Sequence, residues 1–366
     1  MSLKEDETMD RVYNFSPGPS QLALPVLEKA QKDLLCYGST GMSVMEMSHR
    51  SKMYTDIYDQ TVADLKELMA IPEEYEVVFL QGGATQQFSA IPLNLMVNKK
   101  ADYIDSGNFA HLAAEEGKRY GEVNVVASSR ADNYTYVPDV KNLPLTEGAD
   151  YLHITQNNTI YGTRYVELPE SAAPLVCDAS SMILSEVMDV SKYGVIYAGA
   201  QKNIGPSGLC VLIVRKDLLG RTMDICPKLL NWQVQVDKGS MYNTPNTWGI
   251  YVAGLTFQWL KEQGGVAAME KINIEKAAML YEFLDNSRLF KATAQPKYRS
   301  RMNVTFITGD PDKDAAFVKA AAGAGLVNLK GHRTVGGMRA SIYNAMPVEG
   351  VQKLVAFMKE FEAQNA

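Results

Sequence analysis

The amino-acid sequence predicts an α/β protein, with a mostly parallel sheet wrapped by helices and then a smaller α+β domain. Three observations predict it. Short apolar runs alternate with helix-periodic segments between residues 53 and 260, the pattern of strands joined by crossover helices. Glycine-rich or chemically active stretches directly follow several of those runs, at strand C-terminal ends, where open α/β sheets bind ligands. At 366 residues the chain also exceeds the size over which one hydrophobic core keeps growing. Two domains are therefore expected, 22–262 and 263–366, with the segment 10–21 packed near the second.

The formal charge of −6 gives no reason to expect nucleic acid or an acidic membrane as partner. A small anionic substrate stays open, because local arginines outweigh an average. Cys36, Cys177, Cys210 and Cys226 show no metal-ligand spacing, and no metal is expected. Cys177 and Cys210 lie inside apolar runs and read as small buried thiols, which fits a reducing cytoplasm better than a disulfide framework. No signal peptide or membrane-spanning run is apparent. Met1-Ser2-Leu3 reads as a cloning scar or a loose tail and is left out of the fold argument.

Asn14-Phe15-Ser16-Pro17-Gly18-Pro19 is an extended entry, since its prolines forbid a helix. Leu24, Leu27, Ala30 and Leu34 give a helix over 24–35. The loop that follows ends in His49-Arg50, a plausible clamp for phosphate or carboxylate, although such a pair before a helix is more often a solvated face. Tyr54, Ile57, Tyr58, Val62, Leu65 and Leu68 line one face of a helix over 53–69. Val77–Leu80 is a buried strand, and Gln81-Gly82-Gly83-Ala84-Thr85 leaves it to open a helix. That is equally a phosphate cradle, with glycines and a helix N-terminus, or an ordinary βα turn.

Further strands are expected at 102–105, 123–127 and 151–155. His153 lies mid-strand and reads as a satisfied core histidine rather than a catalyst; Phe109, read locally, is core, and Thr159 is one polar residue among several. Ala173-Pro174-Leu175-Val176-Cys177-Asp178 is a short apolar strand with a carboxylate at its C-terminal end. Gly194–Tyr197 is the next. The glycine-rich loop after it holds Gln201-Lys202, and Leu209–Val214 returns as a strand. A lysine at the mouth of a sheet loses solvation, its pKa falls, and the neutral amine becomes a nucleophile for carbonyls. Its bland alternative is a packed stem with a solvated head. Neighbouring strands lie ~4.8 Å apart, so Asp178 and Lys202 can converge on one aromatic ring. Pyridoxal phosphate needs such a pair, a lysine for its carbonyl and an acid for its ring nitrogen.

Gly239–Pro245 reads as a surface turn before a helix over 248–260. Gly264-Gly265 marks the domain border, followed by a helix over 267–284, a strand at 303–307, a helix over 313–322, a strand-loop at 327–333, a strand at 338–343 and a helix over 348–364. His332, Arg333 and Arg339 make the last loop and strand dense in cations.

The stretch from Val190 to Pro206, with His49-Arg50 and Gly331–Tyr343, resembles the phosphoserine aminotransferases, class-V pyridoxal-phosphate enzymes of fold type I. The likeness runs from Asn14 to the last helix. It implies a seven-stranded large-domain sheet and a homodimer whose active site is shared. It also implies transamination between O-phosphoserine and 2-oxoglutarate, with a phosphorylated threonine-like acid of vitamin B6 synthesis as a further substrate. Lys202 and Asp178 are implied as catalytic; Ala84, Thr85, Phe109, Thr159, Gln201, Asn243 and Thr244 would hold the cofactor. The last two would act across the dimer. His49, Arg50, His332 and Arg333 would select the substrate phosphate and Arg339 its carboxylate. Two positions depart from the family pattern: Thr85 stands where many members carry Arg, and Phe109 where Trp is usual. Rival readings are weaker. A desulfurase needs a mobile cysteine late in the chain, and none follows Cys226; a nicotinamide enzyme would need a G-x-G-x-x-G that is missing. A binding protein that has lost turnover would have no use for both Asp178 and Lys202.

Overall fold

The computed structural model describes residues 11–365, and the reading of Met1-Ser2-Leu3 lies outside them. The elements in chain order are β1 (Tyr13–Asn14), α1 (Leu24–Asp33), α2 (Lys52–Leu68), β2 (Tyr75–Gln81), α3 (Ala84–Leu95), β3 (Lys100–Asp105), α4 (Asn108–Gly117) and β4 (Glu122–Ser128). Then come β5 (Leu152–Thr155), β6 (Asn157–Asn158), β7 (Thr163–Arg164), β8 (Leu175–Asp178), β9 (Val195–Gly199), β10 (Leu209–Arg215), α5 (Trp232–Asp237) and α6 (Thr247–Glu262). The last are α7 (Gly265–Asn286), β11 (Lys291–Ala292), β12 (Asn303–Ile307), α8 (Pro311–Gly323), β13 (Leu326–Val327), β14 (Met338–Ser341) and α9 (Val348–Asn365).

Seven strands form the central sheet in the order β2-β10-β9-β8-β5-β3-β4. All its neighbours are parallel except β10, which runs against both β2 and β9. The reversal follows from the loop 200–208, which turns straight back instead of crossing over on a helix. Strands β8 and β9 are buried along their whole length, as a sheet covered on both faces requires. Alternate residues serve opposite faces. Cys177, Ile196 and Ala198 pack with Tyr54, Leu65 and Phe257 of α2 and α6, while Val176, Val195 and Tyr197 pack with Ile91 and Ala113 of α3 and α4. Helix α2 is set by its buried stripe and by Ser51, whose hydroxyl accepts from the Tyr54 N–H. Among the described residues, no helix is long and apolar enough to cross a membrane.

A second core lies under the three-stranded sheet β11-β12-β14, between α7, α8 and α9, with Phe15 at its centre. Helix α7 belongs to both cores: Val266 and Met269 pack on the first, Leu280 and Leu284 on the second. It starts at Gly264-Gly265, both at positive φ, where α6 stops. The N-terminal segment is pinned by β1 pairing with β13, Tyr13 opposite Leu326.

The 327–333 stretch expected as a strand-loop is strand only as far as Val327. Lys330 bridges to Met338, so residues 331–337 are a hairpin tip and cannot extend the strand. The polar loop after β5 contains the short ladder β6–β7.

One buried cation went unremarked in the sequence. Lys276 of α7 is fully buried, and its Nζ donates to the carbonyls of Ile342, Tyr343 and Met346 at 3.0, 2.8 and 3.0 Å. All three ammonium donors are used, and three buried carbonyls depend on them. Lys276→Met is expected to lower stability by about 3 kcal/mol, read as a lower urea midpoint at unchanged slope. An unchanged midpoint would show that the carbonyls are satisfied otherwise.

Candidate active site

A cavity of about 230 Å³ opens where β2, β5, β8 and β9 end. Each wall is a consequence of local structure. Lys202 enters from the loop after β9, which is wound tightly by the Gly205 N–H donating to the Ala200 carbonyl at 2.8 Å. Its Nζ donates to Thr159 Oγ1 at 2.8 Å and lies 5.7 Å from the centre of the Phe109 ring. The side chain keeps part of its surface open to the cavity. Burial of the amine pulls its pKa down to about 8; Asp178 opposes that pull and Arg339 adds to it.

Asp178 ends β8 in the same cavity, and its Oδ1 accepts from the Ser180 N–H at 2.9 Å. Burial raises its pKa, while Lys202, Ser180 and Tyr197 lower it. Asp178 and Lys202 feel each other's charge but form no direct ion pair, so a gap is left between amine and carboxylate.

Gly83, Ala84 and Thr85 form the third wall. Gly83 caps α3 without any side-chain acceptor, so the first N–H groups of the helix are free for an anion. A Cβ built on Gly83 would meet no protein atom within 4 Å. Gly18, at φ +138°, closes the roof: a Cβ there would press on the side chains of Gln201 and Lys202 at 3.3 Å. Ser20 holds this roof down, its N–H donating to the Gln201 carbonyl at 2.9 Å and its hydroxyl to the Lys202 carbonyl at 2.6 Å. The Tyr343 hydroxyl donates to the Pro17 carbonyl at 2.7 Å.

Arg339 reaches in from β14, 6% exposed, with Nη1 donating to the Thr159 carbonyl at 3.2 Å. Its Nε has no protein partner, and among the described residues no carboxylate pairs with it. A buried guanidinium on a cavity-lining residue, with one donor unpaired, has capacity left for an acceptor such as a carboxylate. His332 also lines the cavity, its Nδ1 2.8 Å from Thr334 Oγ1.

The cavity thus gathers Ala84, Thr85, Phe109, Thr159, Asp178, Gln201, Lys202, His332 and Arg339. It does not gather the remaining sequence-derived residues. Arg333 is exposed at the hairpin tip, and His49 and Arg50 sit in the loop before α2, half-buried and exposed. Asn243 and Thr244 are exposed, the Thr244 carbonyl accepting from Gln81 Nε2. Phe88, Ile160 and Ser180 line the cavity without having been singled out. Ser180 could have been found from its place two residues after Asp178, within reach of an Asx turn.

An amine, a carboxylate and an uncapped helix end at the carboxyl edge of a largely parallel sheet define a fold-type-I transferase. The class-V aminotransferase family matches residues 12–354. A phosphoserine aminotransferase of Bacillus cereus is 55% identical over 359 residues, covering 98% of this chain and 100% of that protein. One of Listeria innocua is 52% identical over 355 residues, 96% and 97% of the two chains. The phosphoserine aminotransferase structure from Bacillus circulans subsp. alkalophilus superposes with a TM-score of 0.95 at 42% identity, covering 97% of this chain and 99% of that one. The pyridoxal-phosphate-bound crystal structure from Trichomonas vaginalis gives 0.92 at 41%, covering 95% and 100%. The chain belongs to the class-V aminotransferases and, within them, to the phosphoserine aminotransferases.

Pyridoxal phosphate is the cofactor of this class, and the cavity fits it on its own terms. Asp178 has an oxygen to spare, the Gly83 side of the α3 N-terminus is empty, and Lys202 is a desolvated amine.

Proposed function

We propose that the chain catalyses transamination between O-phospho-L-serine and 2-oxoglutarate, giving 3-phosphohydroxypyruvate and L-glutamate, within serine biosynthesis in the cytoplasm. The observation that carries this is the buried Arg339, with its unused Nε, facing the same cavity as Lys202 and Asp178. When bound, pyridoxal phosphate supplies an electron sink for the substrate's α-carbon and a carrier for the amino group.

The protein's residues do the rest. The N–H groups of Ala84 and Thr85 would hold the cofactor phosphate without a cation, since Thr85 brings only a hydroxyl. Asp178 would keep the ring nitrogen protonated, Thr159 would meet the ring hydroxyl, and Phe109 and Gln201 would bracket the ring. Lys202 would hold the cofactor carbonyl and would move a proton at the substrate's α-carbon. Thr159 Oγ1 fixes where its Nζ points. Arg339 grips the α-carboxylate. The roof of Pro17 and Gly18 would narrow the access of water.

His49, Arg50, His332 and Arg333 would bind the substrate's phosphate, and Asn243 and Thr244 would complete the cofactor-phosphate site of a second copy. Arg50, Arg333, Asn243 and Thr244 lie on the surface outside the cavity lining, where they are open to a second copy. The deciding experiment is a coupled assay of O-phosphoserine, serine and alanine as amino donors to 2-oxoglutarate. O-phosphoserine should be preferred about 100-fold in kcat/KM, the worth of one or two charge-assisted contacts. Equal rates would refute a phosphate-selecting site. The phosphorylated threonine-like acid of vitamin B6 synthesis offers the same phosphate and carboxylate and should compete in that assay.

Two variants test the shared site. Arg50→Ala should raise KM for O-phosphoserine about tenfold or more and leave that for glutamate unchanged; an equal change for both would remove Arg50 from phosphate recognition. Asn243→Ala should weaken cofactor binding in a protein that sediments as a dimer. A fully active monomer would contradict the arrangement.

A further inference from the structure

Thr159 carries two tasks from one position, and the element that bears it cannot hold it in place alone. Its hydroxyl accepts from Lys202 Nζ at 2.8 Å and its carbonyl from Arg339 Nη1 at 3.2 Å. It sits in the turn 159–162 of the β6–β7 hairpin, whose strands are two residues each. So short a hairpin does not keep its shape unaided. Its support comes from the sheet β11-β12-β14.

Strands β12 and β14 pair with Asn303 opposite Ser341 and Thr305 opposite Arg339. Alternation gives the pair two faces. Val304, Phe306, Met338 and Ala340 pack into the second core. Asn303, Thr305, Arg339 and Ser341 make the other face, polar yet no more than 6% exposed. A buried polar face needs partners, and the hairpin supplies them. Asn157 Nδ2 donates to Asn303 Oδ1 at 2.8 Å, and Thr305 Oγ1 donates to the Tyr161 carbonyl at 3.1 Å. With Arg339 on the Thr159 carbonyl, every second residue from 157 to 161 is tied to this face. The Ser300 N–H adds a bond to the Gly162 carbonyl at 2.8 Å. Gly162, at φ +70°, lets the backbones close: a Cβ there would stand 2.5 Å from Thr305 Oγ1.

Each hydroxyl proton has one place to go. The Tyr161 carbonyl only accepts, so it takes the Thr305 proton, and the Thr305 oxygen accepts in turn from Thr293 Oγ1 at 2.6 Å. The Pro17 carbonyl takes the Tyr343 proton, so the Tyr343 oxygen accepts from Asn303 Nδ2 at 3.1 Å. That leaves Asn303 Oδ1 for Asn157. Asn303 is thus joined to the hairpin through Asn157 and to the roof through Tyr343.

We propose that Asn303 and Thr305 are positioning residues for the transamination: they clamp residues 157–161 against β12, so that Thr159 presents its hydroxyl to Lys202 and its carbonyl to Arg339 at once. The inference rests on the reading that Thr159 meets the cofactor. Its consequence is that the spacing between amine and guanidinium is set before cofactor or substrate arrives.

The test is a double-mutant cycle read as the affinity of the cofactor-free proteins for pyridoxal phosphate, titrated by visible absorbance. Thr159→Val removes the hydroxyl, keeps the carbonyl, and should weaken binding about tenfold, the loss of one hydrogen bond to a charged group. Thr305→Val, close to isosteric, should weaken it about fivefold, the worth of one neutral hydrogen bond. Thr305→Ser, which keeps the hydroxyl, should bind close to the parent. In the double variant the Thr305 change should add less than about twofold, because it acts through a hydroxyl already gone. Thr305→Ala takes the place of valine if that protein does not fold. Parental affinity in Thr305→Val, no rescue by serine, or fully additive losses overturn the proposal. Unchanged affinity in Thr159→Val removes Thr159 from the cofactor, and the proposal falls with that reading. Weakened binding by Thr159→Val beside an inert Thr305→Val overturns the clamp alone.

Discussion

Lys202→Ala is expected to lower kcat for O-phosphoserine by about 10⁴-fold, the upper range for a positioned acid–base group. No other amine can take over. Among the groups lining the cavity, only Lys202 is an amine, and the guanidinium of Arg339 stays charged and gives up no proton. Borohydride treatment of the cofactor-loaded parent should leave the cofactor on the peptide carrying Lys202 and on no peptide of the variant. Turnover within tenfold of the parent would dismiss Lys202 as the proton carrier.

The same amine sets a pH dependence. Its folded pKa of about 8 lies below the roughly 10.4 of an unfolded lysine. Below pH 8 the amine of the cofactor-free protein is charged and unreactive; above it the free base accumulates. Capture of an aldehyde by Lys202 should therefore climb with pH and level off past about 8. The linkage has the same sign. Between pH 8 and about 10.4 the unfolded chain holds the extra proton, so the penalty for burying this charge is relieved as pH rises.

Asp178→Asn should cost about 10³-fold in kcat, the scale of losing a preorganised electrostatic partner, and weaken cofactor binding. The substitution is nearly isosteric and the Ser180 N–H can still donate to the amide oxygen, so the fold should survive. What disappears is the negative charge. An asparagine protein with parental kcat would mean that ring protonation does not limit the reaction.

Much of this was legible in the sequence because it is local. The apolar runs at 175–178, 195–199 and 209–215 form strands since both faces of the sheet are covered, and Asp178 and Lys202 stand at the ends of neighbouring strands. Gly83 before an unsatisfied helix end was legible for the same reason. The reversal of β10 was implicit in the short return loop. What could not be read is what depends on distant pairing. Lys276 looked like any helix-surface lysine until residues 342–346 folded over it. His153 reads as core from its own strand, and its contact with Tyr197 comes from β9, two strands away in the sheet. That His49, Arg50, Asn243 and Thr244 lie outside the cavity lining depends on the course of their loops in space, which local pattern does not give.

The roof over Lys202 carries a consequence for how the protein is made. Pro17, Gly18 and Ser20 are synthesised before what they rest on: Lys202 follows Ser20 by 182 residues, and Tyr343 follows Pro17 by 326. Contacts of such sequence separation form slowly and cannot form early. A nascent chain therefore has a sheet long before it has a lid. A closed cofactor site is therefore expected only once residue 343 has been made, and deletions near residue 20 should disturb cofactor capture more than their distance from the catalytic lysine along the chain would suggest.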